Sequence, residues 1–183
     1  MNKKIILSFT FIFAVIYQLI VIFPIIYNEE DILNNGSEFK FRIRNSRLPV
    51  LCGKNYISLD LKTKIKSYEK FYMIDNIFVC VKQNSDGFAH VSSISKDKPI
   101  EVKDYVDVKY VRSDYKSHIV SFMLPFNRFY FKEVYADEIK NIYKKSIKDS
   151  SKKIYALVSI KNGKGLVKDV FIDDVSIMDM IEK

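Results

Sequence analysis

The chain has 183 residues, a formal net charge of +8, and is 48% hydrophobic and 28% charged. With five Gly, four Pro and two Cys it is no collagen-like, low-complexity or disulfide-dense chain, and the length allows one ordinary domain plus a targeting or anchoring segment. Two Cys and two His exclude a four-cysteine metal site, so no metal and no cofactor is expected.

Residues 5–28 contain no Asp, Glu, Lys or Arg. Within them, IILSFTFIFAVIYQLIVIF (residues 5–23) has only Ser8, Thr10 and Gln18 as strongly polar side chains. At about 1.5 Å per residue, such a run reaches the roughly 30 Å of a bilayer core. A cleaved signal peptide is the competing reading, but it calls for a shorter apolar core and an Ala-x-Ala-like site, which PIIYNEEDILNNG does not offer. The expectation is a retained anchor in contact with the bilayer through residues 5–26. Lys3 and Lys4 precede it and Glu29, Glu30 and Asp31 follow, which orients the N-terminus to the cytoplasm and the remainder outside. The division is therefore 1–27, stub and anchor, and 28–183, an extracytoplasmic domain. That domain carries 28 Lys/Arg against 22 Asp/Glu, a surplus suited to solvated surface or anionic headgroups, and no nucleic-acid partner is expected.

Residues 29–36 read as a short helical or turn connector ending in the turn signal Asn34-Asn35-Gly36. SEFKFRIRN alternates Phe39, Phe41 and Ile43 with Lys40, Arg42 and Arg44, a half-buried strand. An irregular crossing with Pro49 and Gly53 leads to YISLDLK, a second strand. IFVCVK and FAHVSSIS flank Asn84-Ser85-Asp86-Gly87 as a hairpin, and YVDVKYVR and HIVSFML form a second pair around residues 113–117. Over residues 132–148, Val134, Tyr135, Ile139, Ile142 and Tyr143 recur at mostly three- and four-residue spacing, which predicts an amphipathic helix. IYALVSI and LVKDVFI then flank Asn162-Gly163-Lys164-Gly165, the strongest hairpin signal in the chain, and SIMDMIEK adds a last helical turn. The expected fold is α+β, mainly antiparallel β with about eight strands in a curved sheet or partial barrel, and one amphipathic helix behind the transmembrane segment.

Sites of chemistry are sparse. His90 and His118 fall on strand positions without a ligand set, and Cys52 and Cys80 read equally as a disulfide or as separate small residues. There is no P-loop, GxGxxG or GxSxG. PFNRFYFKEVY (residues 125–135) packs five rings beside Arg128 and Lys132. Pro125, Phe126, Arg128, Phe129 and Tyr130 are read either as the seam between helix and sheet or as a lipid- or glycan-binding platform.

Two families share motifs with residues 46–61. Ser46-Arg47-Leu48-Pro49-Val50-Leu51, then Gly53 and Tyr56-Ile57-Ser58-Leu59, resembles the type I signal peptidases, with Ser46 as the nucleophile. Arg47 replaces their Met, and the strand bearing their Lys base has no counterpart here. The fuller resemblance is to the bacterial membrane-anchored GDYXXLXY proteins. Gly53-Lys54-Asn55-Tyr56-Ile57-Ser58-Leu59 keeps Gly53, Tyr56 and Leu59 of the motif, with Asn55 as an extra residue and Leu61 in place of the final aromatic. SDGFAHVSSISKDKP, PFNRFYFKE and the C-terminal hairpin are similar to the family's corresponding segments in the same order. An anchored domain with no complete catalytic set is expected to be a non-enzymatic cell-envelope interaction or accessory module, and the resemblance implies a multi-span membrane protein as a partner.

Overall fold

In the computed structural model the described residues are 3–44, 52–69, 71, 76–109, 111–114 and 116–181. Helix α1 (Lys3–Asn35) is continuous through Pro24. The charged stretch at residues 29–31, expected as a connector, is therefore its last two turns. The true stop is Gly36, whose N–H donates to the Ile32 carbonyl at 3.0 Å. Of the described side chains in the apolar run, Phe11, Phe13 and Phe23 are among those exposed. Among the described residues no helix is long and apolar enough to cross a membrane; the side chains of residues 1–10, 19, 21, 22 and 25 lie outside that description.

Among the described residues twelve strands follow: β1 (Ser37–Arg42), β2 (Tyr56–Ser58), β3 (Lys62–Lys66), β4 (Ile77–Gln83), β5 (Ala89–Ser95), β6 (Tyr105–Val108), β7 (Val111–Asp114), β8 (Ile119–Met123), β9 (Arg128–Tyr130), β10 (Ile154–Lys161), β11 (Lys164–Ile172) and β12 (Val175–Ser176). Between β9 and β10 lie a 3₁₀ turn (Glu133–Tyr135) and helix α2 (Ala136–Ser146). The strands form four small sheets in the orders β1-β10-β11-β12, β2-β9, β3-β8-β7 and β5-β4-β6. Every strand pair is antiparallel.

The mainly antiparallel expectation holds, but the strand count is higher and the sheets do not close into a barrel. Two single-strand readings are each divided in two. YISLDLK breaks because the Leu61 N–H bonds to the Leu59 carbonyl at 3.1 Å, a tight turn that sends β2 to β9 and β3 to β8. YVDVKYVR breaks because β6 pairs with β4 whereas β7 pairs with β8. The helix signal at residues 132–148 resolves into the 3₁₀ turn and α2, and residues 177–181 form a turn in which the Met180 N–H bonds to the Ser176 carbonyl at 3.3 Å.

Alternation sets the core. Phe39 and Phe41 point inward opposite Val158 and Ala156 of β10, while Lys40 and Arg42 stay exposed. At the β10–β11 hairpin Asn162 and Gly163 have φ of 52° and 82°, the left-handed pair that the Asn-Gly signal foretells. Asp173 and Asp174, with φ of 51° and 65°, repeat the device between β11 and β12. From α2, Ala136, Ile139 and Tyr143 enter the same core, and burial pushes the Tyr143 phenol pKa well up.

The last turn of α1 is clamped to β10. The Ser159 hydroxyl donates to the Ile32 carbonyl. Lys161 Nζ lies 2.7 Å from Asp31 Oδ1, and Asn35 Nδ2 donates to the same oxygen at 2.9 Å. Hydrogen bonds from Lys161 first and Asn35 second hold the Asp31 carboxyl below its ordinary range. A lowered folded-state pKa gives a contribution complete above the ordinary Asp value, near about pH 4, and lost as pH falls through the lowered one. Asp31→Asn is therefore expected to melt below the wild type at pH 7, with the gap closing towards pH 3. A gap unchanged by pH in paired thermal melts would show that the ion pair adds nothing.

Candidate functional site

The two segments singled out in the sequence meet. β2 pairs with β9 in the register Tyr56↔Tyr130, Ile57↔Phe129 and Ser58↔Arg128. The ladder continues on both sides, with Leu59 N–H bonded to Asn127 O at 2.8 Å and Phe131 N–H to Asn55 O at 3.0 Å. Residues 53–59 and 125–131 thus form one structural unit, although some 70 residues separate them in the chain.

Alternation divides this unit into two faces. Ile57, Leu59, Phe126 and Phe129 are buried, with Phe126 and Phe129 each 4% exposed. These side chains build the floor and do not reach solvent. On the other face Tyr130 is 59% exposed, Arg128 is exposed and Tyr56 is half-buried. The Tyr56 and Tyr130 rings are tilted against each other with centroids 5.6 Å apart. The Arg128 guanidinium carbon lies 4.8 Å from the Tyr56 centroid, and its Nη1 reaches the Tyr130 hydroxyl at 3.5 Å. That hydrogen bond, ahead of the influence of the two phenols, holds the Arg128 pKa above its ordinary value, so the cation is permanent. Pro125 is exposed at the start of the segment.

Gly53 is required by this packing. A Cβ there would fall onto the Tyr56 ring, 2.5 Å from its Cζ, so the backbone at residue 53 is the surface on which the ring lies. Gly53 N–H also bonds to the Tyr56 carbonyl at 3.0 Å, closing the tight turn before β2. The neighbouring edge is held by the Lys54–Glu133 ion pair at 2.8 Å and by Lys140 Nζ on the Lys54 carbonyl at 3.1 Å. Glycine, tyrosine and leucine of the motif therefore have separate tasks: a bed for the ring, the half-buried ring beneath Arg128, and a core plug.

A rigid ladder presenting a Tyr–Arg–Tyr cluster suits recognition. Tyr and Arg are enriched at contact hot spots because each offers a large planar face with a polar end at modest entropic cost. Ser46 lies outside the described residues. Cys52 is half-buried and Cys80 buried, both as free thiols, so the disulfide that the sequence left open is not formed. Among the described residues no group of three His, Cys, Asp or Glu side chains is placed to hold a metal.

A small antiparallel β-rich domain joined to a long N-terminal helix, with an aromatic–Arg surface on a two-stranded ladder, is the class of protein defined here. The chain belongs to the GDYXXLXY protein family, whose model matches residues 18–170. That match covers the second half of α1, the motif ladder, α2 and most of the last hairpin. No curated protein and no solved structure matches the chain.

Proposed function

We propose that the chain is a single-pass envelope protein, anchored through residues 5–26 with its N-terminus in the cytoplasm, whose β-rich domain works as an interaction or accessory module. The observation that carries this reading is the Tyr56–Arg128–Tyr130 cluster, with Arg128 and Tyr130 exposed beside the half-buried Tyr56 and all three braced on an antiparallel ladder. Its residue types are those of a protein-binding hot spot. Support for the anchor comes from the charge-free run and from the exposed Phe11, Phe13 and Phe23 on α1. A helix that ends in the domain's own core holds this surface at a set distance from the bilayer. That arrangement suits a partner embedded in the same membrane, and a multi-span membrane protein is the proposed one.

The test is site-specific photocrosslinking from an exposed β2–β9 position in intact membranes, followed by recovery in gentle detergent. A multi-span protein should be captured, with recovery falling about tenfold in Arg128→Ala and in Tyr130→Ala, the size of loss expected of a hot-spot side chain. Both variants should melt close to the wild type, since both side chains are exposed. Recovery of no membrane protein, or equal recovery from all three chains, would end this reading.

A further inference from the structure

A second site lies beyond the β2–β9 surface. The end of β1, the start of β3 and the β4–β5 hairpin enclose a cavity of about 200 Å³ lined by Arg42, Arg44, Lys62, Thr63, Asp86 and His90 over an apolar floor that includes Phe41 and Leu124. We propose that this cavity binds a small phosphomonoester, with Arg44 and Lys62 as its principal charge partners.

Charge is the first argument. Three cations line the cavity against one carboxylate. Asp86 is committed to structure: its Oδ2 pairs with Arg42 Nη2 at 3.0 Å and its Oδ1 accepts the Phe88 N–H at 3.0 Å. Those bonds, the Phe88 one foremost, hold its carboxyl below the ordinary range. Arg42 is in turn fixed, with its guanidinium carbon 4.0 Å from the Phe88 ring centroid. Among the described residues neither Arg44 nor Lys62 pairs with a carboxylate side chain; the nearby Asp60 carboxylate accepts only the Lys62 backbone N–H, at 3.3 Å. The surplus of two positive charges matches a phosphate monoester, which carries about −1.5 to −2 at neutral pH.

A second argument is His90. Its Nδ1 is buried and has no protein hydrogen-bond partner, in a side chain that lines this cavity. Buried polar atoms are nearly always matched, so this nitrogen calls for a partner that the protein itself does not supply.

Position separates two sources of the same chemistry. Arg42 lies six residues along β1 from Gly36, where α1 ends, so at about 3.3 Å per residue roughly 20 Å separates the cavity from the helix junction. That distance favours a soluble phosphomonoester over a lipid headgroup.

Calorimetric titration of the full chain in neutral-lipid nanodiscs with phenyl phosphate tests the site. Saturable one-to-one binding is expected, weakened about tenfold or more in Arg44→Gln and in Lys62→Gln, as removal of a charge-assisted bond implies. Both residues are exposed, so thermal melts should be unchanged, and Lys144→Gln, on exposed α2, should bind like the wild type. Absence of saturable binding in the wild type, or an affinity that neither glutamine variant moves, would overturn the proposal. Repeating the titration in nanodiscs containing phosphatidic acid decides the source: unchanged affinity supports the soluble ligand, and competition overturns that part in favour of the headgroup.

Discussion

Phe126→Ala is expected to lower the unfolding free energy by about 3–5 kcal/mol, a large share of the stability of a domain this size. Phe126 is 4% exposed and its ring lies 5.2 Å from that of Phe41, tilted by 57°. Its other side rests on Gly165: a Cβ at that glycine would stand 2.7 Å from Phe126 Cε1. The ring therefore occupies space that the β10–β11 hairpin gives up by having glycine there, and truncation leaves a void between β1, β9 and β11 that backbone cannot fill. An aromatic pair adds about 0.5–1.5 kcal/mol to the area term, and that is lost as well. Tyr130→Ala, four residues on, should cost under about 1 kcal/mol because its ring faces solvent. Urea unfolding of the two variants in one detergent checks the contrast. A Phe126→Ala cost no greater than that of Tyr130→Ala would show that the segment is not the hinge of the core.

The same contrast shows how far the sequence is legible. Local alternation places Phe39, Phe41 and Ile43 inward correctly, because each side chain alternates regardless of its partner strand. Asn162-Gly163 announces its turn because few residue pairs accept two left-handed positions. What is not legible is long-range. Residues 125–135 show five rings and an arginine, but periodicity does not say that Tyr56 will stand opposite Tyr130, which decides which rings are floor and which are surface. The phosphate cavity is hidden for the same reason: Arg42 and Arg44 read as the polar face of a strand, and only folding brings Lys62 and His90 beside them. The join of α1 to the domain is half-legible: residues 29–36 read as a helical or turn connector, and only the fold brings Lys161 beside Asp31 at the end of the helix.

That junction carries the other large effect. Gly36→Val should destabilise the domain by about 1–3 kcal/mol and unfix α1 from it. A Cβ at residue 36 would stand 2.5 Å from the Ile32 carbonyl oxygen and 3.0 Å from that of Ile160, besides striking the Ser159 hydroxyl. The two carbonyls belong to a helix turn and to a central strand, so neither has a rotamer with which to yield. The last turn of α1 must lift from β10, and with it go the Ser159–Ile32 bond and the 2.7 Å contact of Lys161 with Asp31. Pulsed electron–electron resonance between labels at exposed Asn28 on α1 and Lys144 on α2 reads the outcome directly. The wild type should give one narrow distance, because helix, Gly36 and β1 form a single rigid path. The variant should give a broad distribution, and its crosslinking to a membrane partner should fall even though Tyr56, Arg128 and Tyr130 are untouched. A rigid stalk fixes the height and orientation of the ladder, and a loose one spreads the same surface over many orientations, lowering its effective concentration at the partner. A narrow distance retained in Gly36→Val would mean that the clamp does not set the geometry, and recognition would then rest on the ladder alone.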